Sequence, residues 1–216
     1  YVSPLFYAPN VSWLVQRNGM NPRNSLMISL NASEGNHMHA NGISMELYGK
    51  GYVLAPDAGI GLYLYSGLDY LEYYSQFPSH NTVCVDGISS YPVMKSNHSF
   101  DLKSSFPVSS EPGKAFTSVT YSDVSFREPE SRADQTRMMS IVTTGPETGY
   151  YVDIFRSRKE RGGDKMHDYF YHNLGQTLTL TGTDGADLNL QPTEELAFAG
   201  ACLLYTSPSP RDRTRS

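Results

Sequence analysis

Short stretches in which apolar and polar residues alternate recur along most of the chain. Alternation with a period of two, in segments rich in β-branched and aromatic residues, is typical of strands that bury one face. The segments Leu68–Gln76 and Trp13–Gly19 differ: the first predicts a short helical turn and the second the end of a helix or a linker. The alternating pattern predicts nine strands, over Ser25–Leu30, Ile43–Tyr48, Tyr52–Leu54, Asn81–Val85, Ser118–Ser122, Met138–Val142, Tyr150–Phe155, Asp168–His172 and Thr177–Leu180.

Turn-forming residues separate the predicted strands at intervals that are typical of antiparallel sheets. A Ser- and Pro-rich stretch, Ser89–Gly113, predicts a long surface excursion. The turn signals are Asn18-Gly19, Gly49-Lys50-Gly51, Asp86-Gly87, Gly145-Pro146, Gly162-Gly163 and Asp184-Gly185. Together these features predict an all-β fold, an antiparallel β-sandwich.

Composition and charge exclude several classes of protein. The chain has 216 residues with 39% hydrophobic content, and no apolar run approaches the roughly 20 residues that a membrane-spanning helix needs. The net charge of -5 gives no general attraction to nucleic acid or to a membrane surface, so an acidic ligand must meet a local positive cluster. Cys84 and Cys202 are too few for a disulfide framework. A soluble globular domain is therefore expected.

Histidine and aspartate residues gather around one predicted hairpin. His37 and His39 precede one strand, Asp57 follows the next strand, and His80 is expected to open a further one. Antiparallel pairing brings His39 and Asp57 to the same end of the sheet, as a zinc site requires. A lone histidine at a strand end is most often an ordinary polar residue. Three histidines and an aspartate at successive strand ends favour a functional site.

These residues carry a resemblance to a known family. Their order resembles the C-terminal β-domain of heparinase II/III-like polysaccharide lyases, including alginate and related uronate lyases. A weaker likeness continues through Tyr151–Phe155 and His167–His172, so the resemblance covers residues 20–180. The matching pattern is His-x-His, an apolar strand, Asp-x-Gly, Tyr-Ser-Gly, and His-Asn-Thr-Val before Asp-Gly, here His37 and His39, Asp57 and Gly59, Tyr65-Ser66-Gly67, and residues 80–87.

The resemblance implies a role for each of these side chains. His39, Asp57 and His80 are implied to bind a structural Zn²⁺ ion, and His37 and Tyr65 to act on the substrate. Four neighbouring tyrosines compete for the Tyr65 role, although core or sugar-stacking positions suit them better: Tyr63, Tyr70, Tyr73 and Tyr74.

The chain departs from the family pattern at two positions. Asn41 stands where an Asp is frequent, and Ser75-Gln76-Phe77 lacks an Arg that often precedes His-Asn-Thr. Neither position is an implied zinc ligand. Because an Arg there could meet a carboxylate or a sulfate, its loss leaves the substrate subclass open.

The resemblance also implies the reaction and the architecture. A uronate lyase removes the C5 proton and expels the oxygen from C4 of an acidic polysaccharide, so it needs electrostatic stabilisation, a base and an acid. The fold implied is a supersandwich-like β-domain of a larger enzyme with an (α/α) toroid, expected in the periplasm or outside a bacterial cell. The toroid of the same chain is then an expected partner, and this fragment alone is expected to be inactive.

The domain organisation expected from the sequence has three parts. Residues 1–24 are interpreted as a linker or the end of the missing helical domain, and residues 25–201 as the β-sandwich domain. From residue 202 the composition becomes basic and rich in Pro and Ser, with no hydrophobic period. Residues 202–216 are therefore interpreted as a non-native or disordered tail.

Two other functions fit parts of the same pattern. A cupin-type metal enzyme could recruit His37, His39, Glu46 and His80, but the second cupin motif is not evident and the odd spacing places Glu46 on the opposite face of an extended strand. A non-catalytic carbohydrate-binding sandwich would use the sixteen tyrosines for sugar stacking. The polysaccharide itself is not specified by the sequence.

Overall fold

A computed structural model describes residues 3–36, 38–59, 70–87, 89, 95–108, 116–162 and 166–189. Within these ranges three short helical turns occur, the 3₁₀ turns Pro9–Val11 and Phe77–Ser79 and the π-helical turn Tyr70–Tyr74. The strands are β1 Leu5–Ala8, β2 Trp13–Arg17, β3 Leu26–Asn31, β4 Ser33–Asn36, β5 Ser44–Gly49, β6 Tyr52–Ala55, β7 Val83–Val85, β8 Lys95–His98, β9 Asp101–Phe106, β10 Val119–Arg127, β11 Asp134–Gly145, β12 Thr148–Arg158, β13 His167–Tyr169, β14 Leu180–Thr181 and β15 Asp187–Leu188.

Two antiparallel sheets form the body of the fold. The first, sheet 1, has the strand order β1-β2-β3-β5-β6, and the second, sheet 2, has the order β12-β11-β10-β9. Three two-stranded pairs, β4-β8, β7-β13 and β14-β15, lie beside them. Strands β2 and β3 of sheet 1 contact β10 and β11 of sheet 2, so the two sheets pack face to face as a β-sandwich.

The core lies between the inner faces of these two sheets. Alternate residues of sheet 1, among them Leu14, Ile28 and Met45, are at most 1% exposed, and Met139 and Ile141 of sheet 2 pack in the same cluster. This alternation follows from the period of two along each strand. The strand pattern in the sequence therefore identifies the side of sheet 1 that faces the core.

A buried polar side chain, that of Gln16, joins the two sheets inside this core. The Gln16 amide nitrogen donates to the Thr120 hydroxyl at 3.4 Å and to the Met139 carbonyl at 3.3 Å, and the Ser122 hydroxyl donates to the Gln16 amide oxygen at 2.7 Å. Gln16 is fully buried. Because every polar group of this amide has a partner, it adds specificity to the packing of the sheets without leaving a costly unsatisfied group.

Most of the expected secondary structure is confirmed. Each of the nine predicted strands overlaps an observed strand, and the helical turn expected within Leu68–Gln76 is observed at Tyr70–Tyr74. The antiparallel β-sandwich is also confirmed. None of the described helices is long and apolar enough to cross a membrane.

The expectations for two segments are wrong. Residues 5–17 are not a linker or the end of a helix, because β1 and β2 pair with each other and β2 pairs with β3 inside sheet 1. Within the expected surface excursion Ser89–Gly113, β8 pairs with β4 and β9 pairs with β10. The interpretation of residues 202–216, and with it Cys202, lies outside the described residues.

Candidate functional site

Three of the residues singled out in the sequence meet beside the β5–β6 hairpin. His39 precedes β5 by five residues, Asp57 follows β6 by two residues, and His80 follows the 3₁₀ turn Phe77–Ser79. The expectation that His80 opens a strand is wrong, because the next strand, β7, begins at Val83 and pairs with β13 outside sheet 1. We call these three residues the His39–Asp57–His80 cluster.

The contact between His80 and Asp57 is the shortest in the cluster. Nδ1 of His80 lies 2.5 Å from Oδ2 of Asp57, and the imidazole is 1% exposed. The other carboxylate oxygen of Asp57 accepts a hydrogen bond from the Gly59 backbone N–H at 2.9 Å. Burial raises the pKa of Asp57, but the interaction with His80 outweighs it and lowers the pKa to about 2. Asp57 is therefore ionised at neutral pH and fixes the orientation of His80.

His39 completes the cluster by stacking on His80. The two imidazole rings lie 4.8 Å apart with an interplanar angle of 17°. The edge of Tyr70, which is fully buried, meets His39 with ring centroids 6.3 Å apart. Burial, assisted by the neighbouring His80 and opposed by Asp57, lowers the pKa of His39 to about 4. His39 is therefore a neutral imidazole at neutral pH, which is the form that a metal ion binds.

The donor chemistry of the cluster suits Zn²⁺. Two imidazoles and one carboxylate are ligands that zinc takes in proteins. Nδ1 of His80 faces Oδ2 of Asp57 at 2.5 Å, so an ion held by both residues would take the place of the proton between them. Nε2 of His80 is buried and has no hydrogen-bond partner. In the described part of the chain, no group of three His, Cys, Asp or Glu side chains is already arranged to hold an ion.

Asn81, the residue after His80, holds the two sides of the cluster together. Its amide nitrogen donates to the Met45 carbonyl at 2.9 Å and to the Pro56 carbonyl at 3.0 Å, and its amide oxygen accepts from the His172 backbone N–H at 2.6 Å. Asn81 is fully buried. Because Pro56 precedes Asp57, this one side chain fixes the backbone beside both His80 and Asp57.

Arg137 of sheet 2 supports the same region from inside the sandwich. It is fully buried, and its Nη1 donates to the carbonyl oxygens of Ile43 and Asn81, each at 2.6 Å. Its Nε and Nη2 form a two-point ion pair with Asp153 at 3.0 and 2.7 Å, and the Tyr169 hydroxyl donates to the same carboxylate. The guanidinium group therefore connects β11 and β12 to the segments that carry His39 and His80.

Glu46 and Tyr48 of β5 extend the polar surface beside the cluster. They alternate with the buried residues Met45 and Leu47, so they lie on the outer face of sheet 1, and the Tyr48 hydroxyl donates to the Glu46 carboxylate. Burial raises the pKa of Glu46, and the charges of Asp57 and His80 also act on it. Glu46 therefore lies close to the cluster, and because His39 precedes β5, strand alternation does not decide the side on which His39 lies.

Not every predicted site residue can be placed. His37, Tyr65 and Tyr63 lie outside the described residues. Of the competing tyrosines, Tyr70 and Tyr73 are buried, in agreement with the core positions expected for them. Arg137 was not among the residues predicted from the sequence, where it is a single charged residue directly before the predicted strand Met138–Val142.

Gly42 lets the loop after His39 pack closely against the segment that carries His80. Its φ is +56°, and a Cβ atom here would lie 2.7 Å from Phe77 and 2.8 Å from the Thr82 hydroxyl. Replacing Gly42 with alanine is expected to lower the free energy of unfolding by about 1–3 kcal/mol, because both the backbone conformation and the packing are strained. Urea unfolding measures the change, and Gly185→Ala, which has positive φ but open space, is the control. Equal losses for the two variants would show that packing at Gly42 adds nothing.

Two sequence comparisons match this chain to known proteins. The family model described as "Heparinase II/III-like, C-terminal" matches residues 2–152. An endo-acting ulvan lyase from Formosa agariphila is 31% identical over 166 residues, which is 73% of this chain and 20% of that protein.

Two solved structures share the fold. Heparan sulfate lyase HepC from Pedobacter heparinus superposes with a TM-score of 0.53 at 16% identity, over 73% of this chain and 22% of that one. A heparinase III with methylated lysines superposes with a TM-score of 0.52 at 15% sequence identity, and the match covers the same shares of the two chains. The chain therefore spans about a fifth of the length of the relatives that it matches.

Proposed function

Because this chain belongs to the heparinase II/III-like family through its C-terminal domain, we propose that the complete protein is a lyase that cleaves an acidic polysaccharide by β-elimination. The observation that carries the proposal is the His39–Asp57–His80 cluster, in which the buried His80 pairs with the Asp57 carboxylate and the His39 imidazole stacks on it. Its three residues stand at the positions of the family motif. Two stacked imidazoles, one of them held by a carboxylate, have no evident use in packing alone and are typical of a functional site.

The reaction requires a base that reaches C5 of a uronic acid unit and an acid that reaches the oxygen leaving C4. The base removes the proton at C5, the electrons of that C–H bond form the C4–C5 double bond, and the C4–O bond breaks with the leaving oxygen taking a proton. We assign His37 and Tyr65 to these two transfers, as the family motif suggests. An imidazole titrates near neutral pH and suits either direction of transfer. A phenol, with an ordinary pKa of about 10, suits protonation of the leaving oxygen.

The described residues contribute by fixing the position of this machinery. The Asn81 side chain binds the carbonyl oxygens of Met45 and Pro56, and Arg137 binds the carbonyl oxygen of Asn81. Asp57 orients the ring of His80. His39, Asp57 and His80 would hold Zn²⁺, which would stabilise the loop ends around the site when bound. The rigid support keeps the side chains near a productive geometry without further movement.

Removing His80 is expected to abolish the binding of one equivalent of zinc. His80 contacts Asp57 and stacks on His39, so His80→Ala removes the central ligand of the proposed site. The measurement is the zinc content of the purified protein after dialysis, by plasma mass spectrometry. His167→Ala, at an exposed histidine, is the control. Equal zinc content in His80→Ala and the wild type would contradict the assignment.

A uronic-acid polysaccharide of algal or animal type is the proposed substrate class. The relative with 31% identity is an ulvan lyase, and the structural neighbours are heparan sulfate and heparin lyases. Such polymers are outside the cytoplasm, so we propose a periplasmic or extracellular location. We also propose that a helical domain of the same protein, beyond this chain, forms the other wall of the cleft.

A panel of polymers tests the proposed function. The complete protein is incubated with ulvan, heparan sulfate, hyaluronan and alginate while the ultraviolet absorbance of the unsaturated product is followed. The proposal expects an absorbance rise with one of these polymers. Binding of a polymer by folded protein without any rise would favour a non-catalytic carbohydrate-binding domain instead.

A further inference from the structure

Arg17, at the end of β2, has a guanidinium group without a partner. In the part of the chain that the structure describes, this group forms no hydrogen bond or ion pair, and its Nε is buried. A partly buried cation without a counter-ion is costly, because burial removes part of its hydration. The position of Arg17 therefore suggests a charge that is compensated by a ligand.

The guanidinium group borders a cavity of about 300 Å³ on the surface of sheet 1. Tyr48, Tyr52 and Met27 line this Arg17 pocket, and Arg17 is the one charged residue among its described lining residues. Tyr52 is 72% exposed, so its ring is available to a ligand. A cation beside two tyrosine side chains is a combination that binds a sugar ring carrying an anionic group.

Strand β5 connects the Arg17 pocket to the neighbourhood of the His39–Asp57–His80 cluster. Arg17 pairs in register with Met27, and Met27 with Tyr48, so the three residues form one row across the outer face of sheet 1. At ~4.8 Å between neighbouring strands, Arg17 and Tyr48 are about 10 Å apart. From Tyr48 the outer face continues along β5 to Glu46, which accepts a hydrogen bond from the Tyr48 hydroxyl and lies near enough to Asp57 and His80 to feel their charges.

We propose that the Arg17 pocket is a subsite that binds an anionic sugar unit of the polysaccharide, through its carboxylate or sulfate group, away from the bond that is cleaved. The proposal rests on the proposed function for the identity of the polymer. Its physical basis is charge complementarity: the chain carries a net charge of -5, so an acidic polymer needs a local cation, and Arg17 is an unpaired one. The guanidinium fork binds either anionic group by two parallel hydrogen bonds.

The test measures binding and turnover with matched variants of the complete protein. Calorimetry gives the dissociation constant for a sulfated uronic-acid tetrasaccharide from heparin and for its desulfated form. The variants are Arg17→Gln, Arg17→Lys and Tyr52→Ala, and Arg23→Gln removes an equal charge from an exposed side chain outside the pocket. Tyr52 is largely exposed, so its replacement tests the pocket even where Arg17→Gln fails to fold.

If the Arg17 pocket is a subsite, the dissociation constant of Arg17→Gln for the sulfated tetrasaccharide is expected to be about tenfold higher than that of the wild type, because a charge-assisted hydrogen bond is lost. Arg17→Lys recovers part of the affinity, Tyr52→Ala weakens binding, and Arg23→Gln matches the wild type. If Arg17→Gln loses affinity only for the sulfated tetrasaccharide, the group bound is sulfate. If it loses affinity for both forms, the group bound is carboxylate.

Failure of the subsite and failure of the proposed function give different results. If the wild type eliminates a polymer while Arg17→Gln and Tyr52→Ala bind and turn over as Arg23→Gln does, the subsite is wrong and the function stands. If the wild type eliminates no polymer but binding still depends on Arg17 and Tyr52, the subsite stands and the lyase assignment is wrong. Weaker binding in all four variants alike would also overturn the subsite.

Discussion

Replacing Arg137 with alanine is expected to lower the free energy of unfolding by about 3–5 kcal/mol, because it breaks a buried ion pair and leaves one partner uncompensated. Asp153 would lose the guanidinium group that meets both of its carboxylate oxygens, and the carbonyl oxygens of Ile43 and Asn81 would lose their buried donor. The void left by a large, fully buried side chain adds to the loss.

Urea unfolding, followed by circular dichroism, measures this effect. The control is Arg158→Ala, which removes an arginine from an exposed ion pair with Glu160, where the two side chains are 73% and 61% exposed. Exposed pairs contribute little to stability, so the control is expected to unfold close to the wild type. A midpoint for Arg137→Ala equal to that of Arg158→Ala would show that the buried network does not support the fold.

Replacing His37 with alanine in the complete protein is expected to lower the rate of elimination by about 10²–10⁴-fold, the range for loss of a general acid or base. The family motif assigns His37 to the substrate, whereas His39, two residues later, belongs to the buried cluster. The measurement is kcat and KM from the initial rate of absorbance rise, with His167→Ala as the control. The His37 variant is expected to keep its zinc and its unfolding midpoint.

The opposite pattern would contradict this assignment. If His37→Ala retained most of the wild-type kcat but lost zinc or stability, then His37 would have a structural role. The base would then have to be sought among other residues of the motif, beginning with Tyr65. The paired measurement of turnover and stability is therefore needed to separate a proton-transfer role from a supporting one.

Much of the fold follows from local sequence. Strands β10 and β5 show clear alternation, because each has one face in the core and one outside it. The Gly-Lys-Gly turn between β5 and β6 has positive φ at Lys50 and Gly51, as a tight hairpin requires. Local periodicity and turn chemistry thus place these elements without any knowledge of long-range contacts.

The segments that were missed lack this local signal. Strand β1 has only four residues, and β2 contains the buried polar residue Gln16 among apolar neighbours, whose partners Thr120 and Met139 lie more than a hundred residues away. Strand β8 pairs with β4, so its formation depends on a partner that is distant in sequence. Such elements are defined by tertiary contacts, which override local propensity.

The candidate site could also be predicted from the sequence only in part. The motif predicted that His39, Asp57 and His80 meet, and the structure brings them together, whereas the Asp57–His80 hydrogen bond depends on the rotamers of both side chains. The role of Arg137 was not predictable, because a charged residue in a strand is normally turned to solvent and only the partners Asp153 and Asn81 explain its burial.

The most direct test of the lyase assignment is cleavage of the active polymer in water labelled with oxygen-18, followed by mass spectrometry of the products. Elimination breaks the C4–O bond without adding water, so we predict a product chain whose new non-reducing end is unsaturated, with no more label than the purified products take up at their reducing ends when incubated alone in the same water. Saturated products that together contain one more water molecule than the polymer, and that are labelled beyond this exchange, would identify hydrolysis and would contradict the assignment of β-elimination to this protein.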